Sequence, residues 1–117
     1  MLTTKGRAKL CDFGFAAILG ERKTLCGTYE YMSPEMVQNK PYDYKIDIWA
    51  LGILLFELIS GRAPFKGNSP DEVLDQMKTK IFFGDKFSKI KFILVPEEIE
   101  LIKSILRVTP HKRPTIK

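Results

Sequence analysis

The sequence predicts a mainly α-helical fold with one short pair of β segments near its N-terminus, and three observations carry that expectation. Helix-start signatures recur at Ser33-Pro34-Glu35, Ser69-Pro70-Asp71-Glu72 and Pro96-Glu97-Glu98. Each places a proline in the first turn with acids beside it, where the unpaired N–H groups and the helix dipole favour negative charge. The run from Tyr44 to Ser60 is apolar on nearly every face of a helix, so it belongs in the middle of a core. Short apolar runs flank a turn, as strands do, only at Ala8 to Cys11 and Phe15 to Ile18, on either side of Asp12-Phe13-Gly14.

The elements follow in chain order. Leu19 to Ser33 is polar, contains Gly27 and lacks helical periodicity, which makes it a loop long enough to need a function or a partner to hold it. Ser33 caps a short helix reaching about Gln38, and Lys40-Pro41-Tyr42-Asp43 breaks the chain before the buried helix. That helix stops at Gly61-Arg62 and contains Asp47 and Glu57, so it falls short of the roughly 20 uninterrupted apolar residues a membrane span needs. Ser69 starts an amphipathic helix with Val73, Leu74 and Met77 on one side. Pro96 starts another, with Ile99, Ile102, Ile105 and Leu106 as its stripe. The segment from Ile81 to Val95 is apolar and lysine-interleaved and gives no clear period.

Composition bounds the function. At 117 residues, 44% hydrophobic and 28% charged, the chain has the make-up of one globular domain or part of one, which excludes disordered and fibrous classes. The net charge of +5 permits acidic partners, but the lysines and arginines are scattered, with no basic helix and no aromatic ladder. No specific nucleic acid and no membrane are therefore expected as partners. Two cysteines, Cys11 and Cys26, and a single histidine, His111, do not make a zinc or haem site. No apolar signal segment follows Met1, so an intracellular location, cytoplasmic or nuclear, and reduced thiols are expected.

The motifs then carry a resemblance. Leu10-Cys11-Asp12-Phe13-Gly14 looks like the metal-binding signature of eukaryotic protein kinases, and further matches follow in family order: Gly27-Thr28-Tyr29-Glu30-Tyr31-Met32-Ser33-Pro34-Glu35, Asp47-Ile48-Trp49-Ala50-Leu51-Gly52, Gly61-Arg62-Ala63-Pro64-Phe65 and Arg113-Pro114-Thr115. The resemblance covers essentially residues 1–117 and implies the C-terminal lobe of a serine/threonine kinase domain. It implies a short β pair around Asp-Phe-Gly, an activation loop, a buried central helix and further helices. The stretch Arg22 to Thr28 is most similar to the Aurora and polo kinases, and Met36-Val37 with Ala50-Leu51-Gly52 sits closer to Aurora.

Residue by residue, the resemblance implies the following. Asp12 holds magnesium against the phosphates of ATP, and Phe13 and Gly14 let that turn swing. Thr24, after Arg22 and Lys23, matches the activation phosphothreonine, whose added charge orders the loop against arginines; its other reading is a plain surface threonine. Thr28 matches the threonine that contacts the catalytic aspartate and helps set substrate choice. Glu35 and Arg113 match a buried ion pair tying the end of the activation loop to the last helices. Asp47 matches the residue that bonds the catalytic-loop backbone, with Trp49 and Gly52 as packing neighbours. Glu57 stands where kinases that prefer basic sites place an acid for a substrate arginine, or else is a structural carboxylate. Cys26 reads as structural, and His111 as a surface turn residue.

The same family needs a Gly-rich loop, a strand lysine paired with a helix glutamate, and His-Arg-Asp-x-x-x-x-Asn, and none of these is among the 117 residues. The expectation is that Met1 is an internal methionine of a longer kinase and that Lys117 falls before the family's final helix. The parent would use ATP and magnesium on protein serine or threonine, at sites that include basic ones, while the chain alone would bind no cofactor tightly and be inactive without its N-terminal lobe. The alternative is a short non-catalytic product that binds substrates or regulators as a decoy or scaffold. Its difficulty is the helix from Tyr44 to Ser60, which without its usual neighbours would expose an apolar patch and leave the chain molten or aggregating.

Overall fold

The computed structural model describes residues 1–14, 16, 28–79 and 94–116. Within them the fold is mainly helical. The helices are α1 (Pro34–Val37), α2 (Lys45–Ser60), α3 (Pro70–Lys78) and α4 (Pro96–Ile105), with single 3₁₀ turns at Tyr29–Tyr31 and Pro110–Lys112.

The β pairing lies on the N-terminal side of Asp12-Phe13-Gly14. Leu2 and Ala8 form an antiparallel bridge closed through the turn Thr4-Lys5-Gly6. The turn is held by the Gly6 N–H on the Thr3 carbonyl and the Thr3 N–H on the Arg7 carbonyl, both at 2.9 Å. Gly6 takes φ +73°, a left-handed conformation that glycine adopts without a Cβ penalty. Phe15, Ala17 and Ile18, expected as the second strand, lie outside the described residues, as do Thr24, Cys26 and most of the segment from Ile81 onward.

α2 is the axis of the molecule. Its Trp49, Ile53 and Phe56 meet Phe65, then Val73, Leu74 and Met77 of α3, and Ile102 and Leu106 of α4 and its end. The two amphipathic stripes read from the sequence are thus the ones buried. Gly52 allows the α2–α4 crossing: a Cβ there would run into the Ile105 Cγ2 and sit 2.8 Å from Leu106 Cδ2. Gly61 ends α2 in the left-handed region, φ +73°, with its N–H on the Glu57 carbonyl at 2.8 Å.

Two expectations change. α2 is covered from one side only by the described elements: Ile48, Trp49, Gly52, Ile53 and Phe56 are buried, while Leu51, Leu54 and Leu58, spaced along the opposite face, are 47%, 42% and 74% exposed. The run is apolar all round, but the described residues supply a layer for half of it. Ser33 stands at the N-cap of α1 without capping it, because its hydroxyl is turned inside, fully buried and without a hydrogen-bond partner among the described residues. Ser69 does cap α3, its hydroxyl accepting from the Glu72 N–H at 3.3 Å.

Candidate functional site

The chain reaches Asp12 with φ +63°, a conformation uncommon outside glycine and tolerated best by Asp and Asn. The Gly14 N–H lies 3.4 Å from Asp12 Oδ1, and the residue is exposed, as is Phe13 at 68%. The turn therefore presents an exposed carboxylate that pairs with no cation among the described residues. Magnesium binds oxygen and is commonly held by one or two carboxylates with phosphates and water. Asp12 fits as one such ligand, and no cluster of three candidate metal ligands gathers among the described residues.

The most closely determined part of the site is built on Arg113. Its Nη1 and Nη2 donate to the two carboxylate oxygens of Glu35 at 2.6 and 2.7 Å, the bidentate geometry that a planar guanidinium offers. Nη1 also donates to the Lys45 carbonyl at 2.9 Å, Nη2 to the Val108 carbonyl at 3.3 Å, and Nε to the Arg107 carbonyl at 2.8 Å. All five N–H groups are spent. The guanidinium lies 4.9 Å from the centre of the Trp49 ring, which is itself stacked on Phe65 at 5.6 Å. Glu35 and Arg113 are 5% and 2% exposed, so each cancels a charge the other would leave buried. The pair joins α1, which closes the loop after Asp12, to the segment after α4 across 78 residues of sequence.

Lys45, which the sequence reading passed over, belongs to the same cluster. It is 7% exposed, and its Nζ donates to the carbonyls of Arg113 and Pro114 at 2.7 and 2.9 Å. Lys45 and Arg113 thus each hold the other's main chain. The signal in the sequence is slight: a lysine in the first turn of a largely apolar helix, where the dipole disfavours a cation.

A second grouping joins Tyr31 to Glu57. The Tyr31 hydroxyl donates to Glu57 Oε2, linking the first 3₁₀ turn to α2. The Tyr31 hydroxyl is pushed up to about 12, first by that bond to Glu57, then by burial and by the charges of Glu57 and Glu30. Thr28 is exposed at the start of the 3₁₀ turn, its carbonyl accepting from the Tyr31 N–H at 3.0 Å. Glu57 is half-buried and Asp47 exposed, one near each end of α2. The structure brings Glu35, Arg113 and Trp49 together, packs Gly52 behind them, and leaves Asp12 apart from them. His111 is exposed in the second 3₁₀ turn, as expected.

A helical unit in which a buried acid and arginine lock a loop end to the last helices, with an exposed aspartate at the loop's start, defines a class of domain rather than one protein. The comparisons supply the family. The protein kinase domain profile matches residues 1–117, and the chain belongs to the protein kinase family. Catalytic subunit 2 of the cAMP-dependent protein kinase of Drosophila melanogaster is 39% identical over 97% of this chain and 31% of its own length. An Aurora kinase of Dictyostelium discoideum is 36% identical over 96% of this chain and 28% of its own. Human cGMP-dependent protein kinase 2 is 38% identical over 97% and 15% respectively. The chain spans less than a third of the length of these relatives. Protein kinases use ATP and magnesium on protein substrates. No helix among the described residues is long and apolar enough to cross a membrane.

Proposed function

We propose that these 117 residues are most of the C-terminal lobe of a serine/threonine kinase domain. Its parent moves the terminal phosphoryl group of ATP to a serine or threonine hydroxyl of a protein. The P–O bond to ADP breaks, a new P–O bond forms, and the hydroxyl proton goes to a base supplied from upstream. The observation that carries this reading is the buried Glu35–Arg113 lock, in a chain matched throughout by the family and carrying an exposed Asp12.

Asp12 holds magnesium, which when bound neutralises charge on the nucleotide phosphates. Phe13 and Gly14 form the turn that carries it. Glu35 and Arg113 fix the far end of the activation loop, Trp49 and Gly52 set the α2–α4 packing beneath, and Asp47 is positioned for the catalytic loop. Thr28 and Glu57 face the peptide substrate. Tyr31 occupies Glu57 Oε2 and aims the carboxylate, leaving Oε1 for a substrate arginine, so sites with basic residues are the preferred substrates. Phosphorylation of Thr24 switches the loop. The protein is intracellular. Its motifs lean toward the Aurora and polo kinases, while relatives at similar identity include an Aurora kinase and cyclic-nucleotide-dependent kinases alike.

The chain alone is inactive, since positioning and charge stabilisation supply most of the rate and the N-terminal lobe carries most contacts to ATP. The test begins with the 5′ end of the transcript and the bases upstream of the Met1 codon, and continues with the protein expressed from the full transcript. Transfer of labelled phosphate from ATP to a basic peptide should fall more than about 100-fold in Asp12→Asn, by the scale of losing one charge-stabilising group. Phosphotransfer by the isolated 117 residues, or an Asp12→Asn protein as active as the parent, would refute the reading.

A further inference from the structure

Away from both groupings, a cavity of about 370 Å³ opens between the last turn of α3 and the segment after α4. Met77 and Leu106, each 2% exposed, form its floor, and Lys78, Lys103, Arg107 and Lys112 stand around it. We propose that this cavity is a docking site for an anionic peptide segment, one carrying a phosphorylated residue or clustered carboxylates beside an apolar side chain. The site goes beyond phosphoryl transfer and does not depend on it.

Among the described residues the charge around the cavity is unbalanced. Lys103 bonds Glu100 at 2.8 Å, and the side chains of Lys78, Arg107 and Lys112 pair with no acid among the described residues. Asp75 lies one helical turn before Lys78 but outside ion-pair distance of it. Three uncompensated cations converging on one concavity repel one another, and an anion placed among them relieves that repulsion. The α3 carbonyls that would oppose an anion are already engaged: the Thr79 N–H and hydroxyl take the Asp75 carbonyl at 3.2 and 3.1 Å, and the hydroxyl also reaches the Gln76 carbonyl at 3.1 Å. The carbonyls of Arg107 and Val108 turn inward to Arg113, so the loop offers the cavity side chains rather than acceptors.

The remaining chemistry selects a peptide. Among the described residues no aromatic side chain lines the cavity, so they offer no surface on which a nucleobase would stack. The apolar contribution is a recessed floor, suited to one side chain inserted from above, and not a projecting apolar face of the kind that enters a bilayer. Arg107 supplies a fork that matches carboxylate or phosphoryl oxygens, and the lysines add charge without fixed geometry.

The experiment uses the protein expressed from its full transcript and fluorescence anisotropy at low salt. Four probes are compared: a labelled nonapeptide with one phosphoserine followed by two leucines, the same peptide with glutamates in place of phosphoserine, the same peptide with plain serine, and vesicles containing phosphatidylserine. The first two should bind saturably, and at least tenfold more tightly than the plain peptide. Arg107→Glu with Lys112→Glu, both exposed positions, should weaken them at least tenfold, whereas Lys5→Glu with Lys9→Glu, the same charge change at the N-terminal turn, should leave them within twofold. Equal loss in both double variants would mean only a general pull from net charge and would overturn the proposal. So would equal binding of the plain peptide, full competition by inorganic phosphate at the peptide's own concentration, or binding confined to the vesicles.

Discussion

Removing the Arg113 guanidinium tests the architecture most directly. Arg113→Ala leaves the Glu35 carboxylate buried and unpaired, which costs about 3–5 kcal/mol for an ion pair broken from one side. It also strips the partner from the Lys45 carbonyl, inside the same buried cluster, for about 1 kcal/mol more. The carbonyls of Arg107 and Val108 lose the same donor at the part-buried edge of the cluster, where water entering in place of the guanidinium can replace it, so these add little. The expected loss is about 4–6 kcal/mol, comparable with the whole stability of many domains. Replacing both partners, Glu35→Met with Arg113→Met, removes the charges together and should be less damaging than the worse single change, giving a coupling above about 2 kcal/mol. Guanidinium unfolding of the 117-residue chain, followed by the fluorescence of Trp49, its one tryptophan, measures this where the ring meets both Arg113 and Phe65. Leu51→Gln, Leu54→Gln and Leu58→Gln are carried as background to keep the chain monomeric. A coupling below about 0.5 kcal/mol, the value for exposed pairs, would refute the assignment of Glu35 and Arg113 as a buried lock.

Other perturbations have equally definite outcomes. Without that background, the open face of Leu51, Leu54 and Leu58 should make the isolated chain self-associate and bind an apolar dye, and the triple glutamine chain should sediment as a monomer; association of both alike would place the sticky surface elsewhere. Gly52→Ala puts a methyl against Ile105 and Leu106 and should cost about 1–3 kcal/mol, read as a lower unfolding midpoint, with an unchanged midpoint contradicting the close crossing. Tyr31 ionises later in the folded protein than in the unfolded chain, so its contribution to stability is complete below pH 10 and is lost as pH rises toward about 12. Absorbance at the tyrosinate band should show a late component from Tyr31 that disappears in Tyr31→Phe and shifts back toward 10 in Glu57→Gln. A Tyr31 that titrates near 10 would mean the bond to Glu57 is absent.

Much of this was legible in one dimension because it depends on short-range rules. Three of the four helices begin where proline and acids sit in a first turn, α2 ends at Gly61 in the left-handed region, and α3 and α4 bury the stripes that a 3.6-residue period defines. The pairing of Glu35 with Arg113 was legible for a different reason: family motifs name both residues, although nothing local connects positions 78 apart. Ser33 was misread as a cap because the cap pattern carries no information on which way the hydroxyl turns, and packing turned it inside.

By itself, then, the sequence determined the helical class, where the helices start and the family, since each follows from backbone preferences or from motifs that survive as strings. Only the tertiary structure decided that Lys45 and Arg113 hold each other's main chain, that Tyr31 holds Glu57, that α2 is covered along one side, and that four cations surround a cavity near the end of α3. The physical reason is common to all four. Burial, pairing and charge convergence depend on distances between residues far apart in the chain, and those distances exist only after the helices have packed.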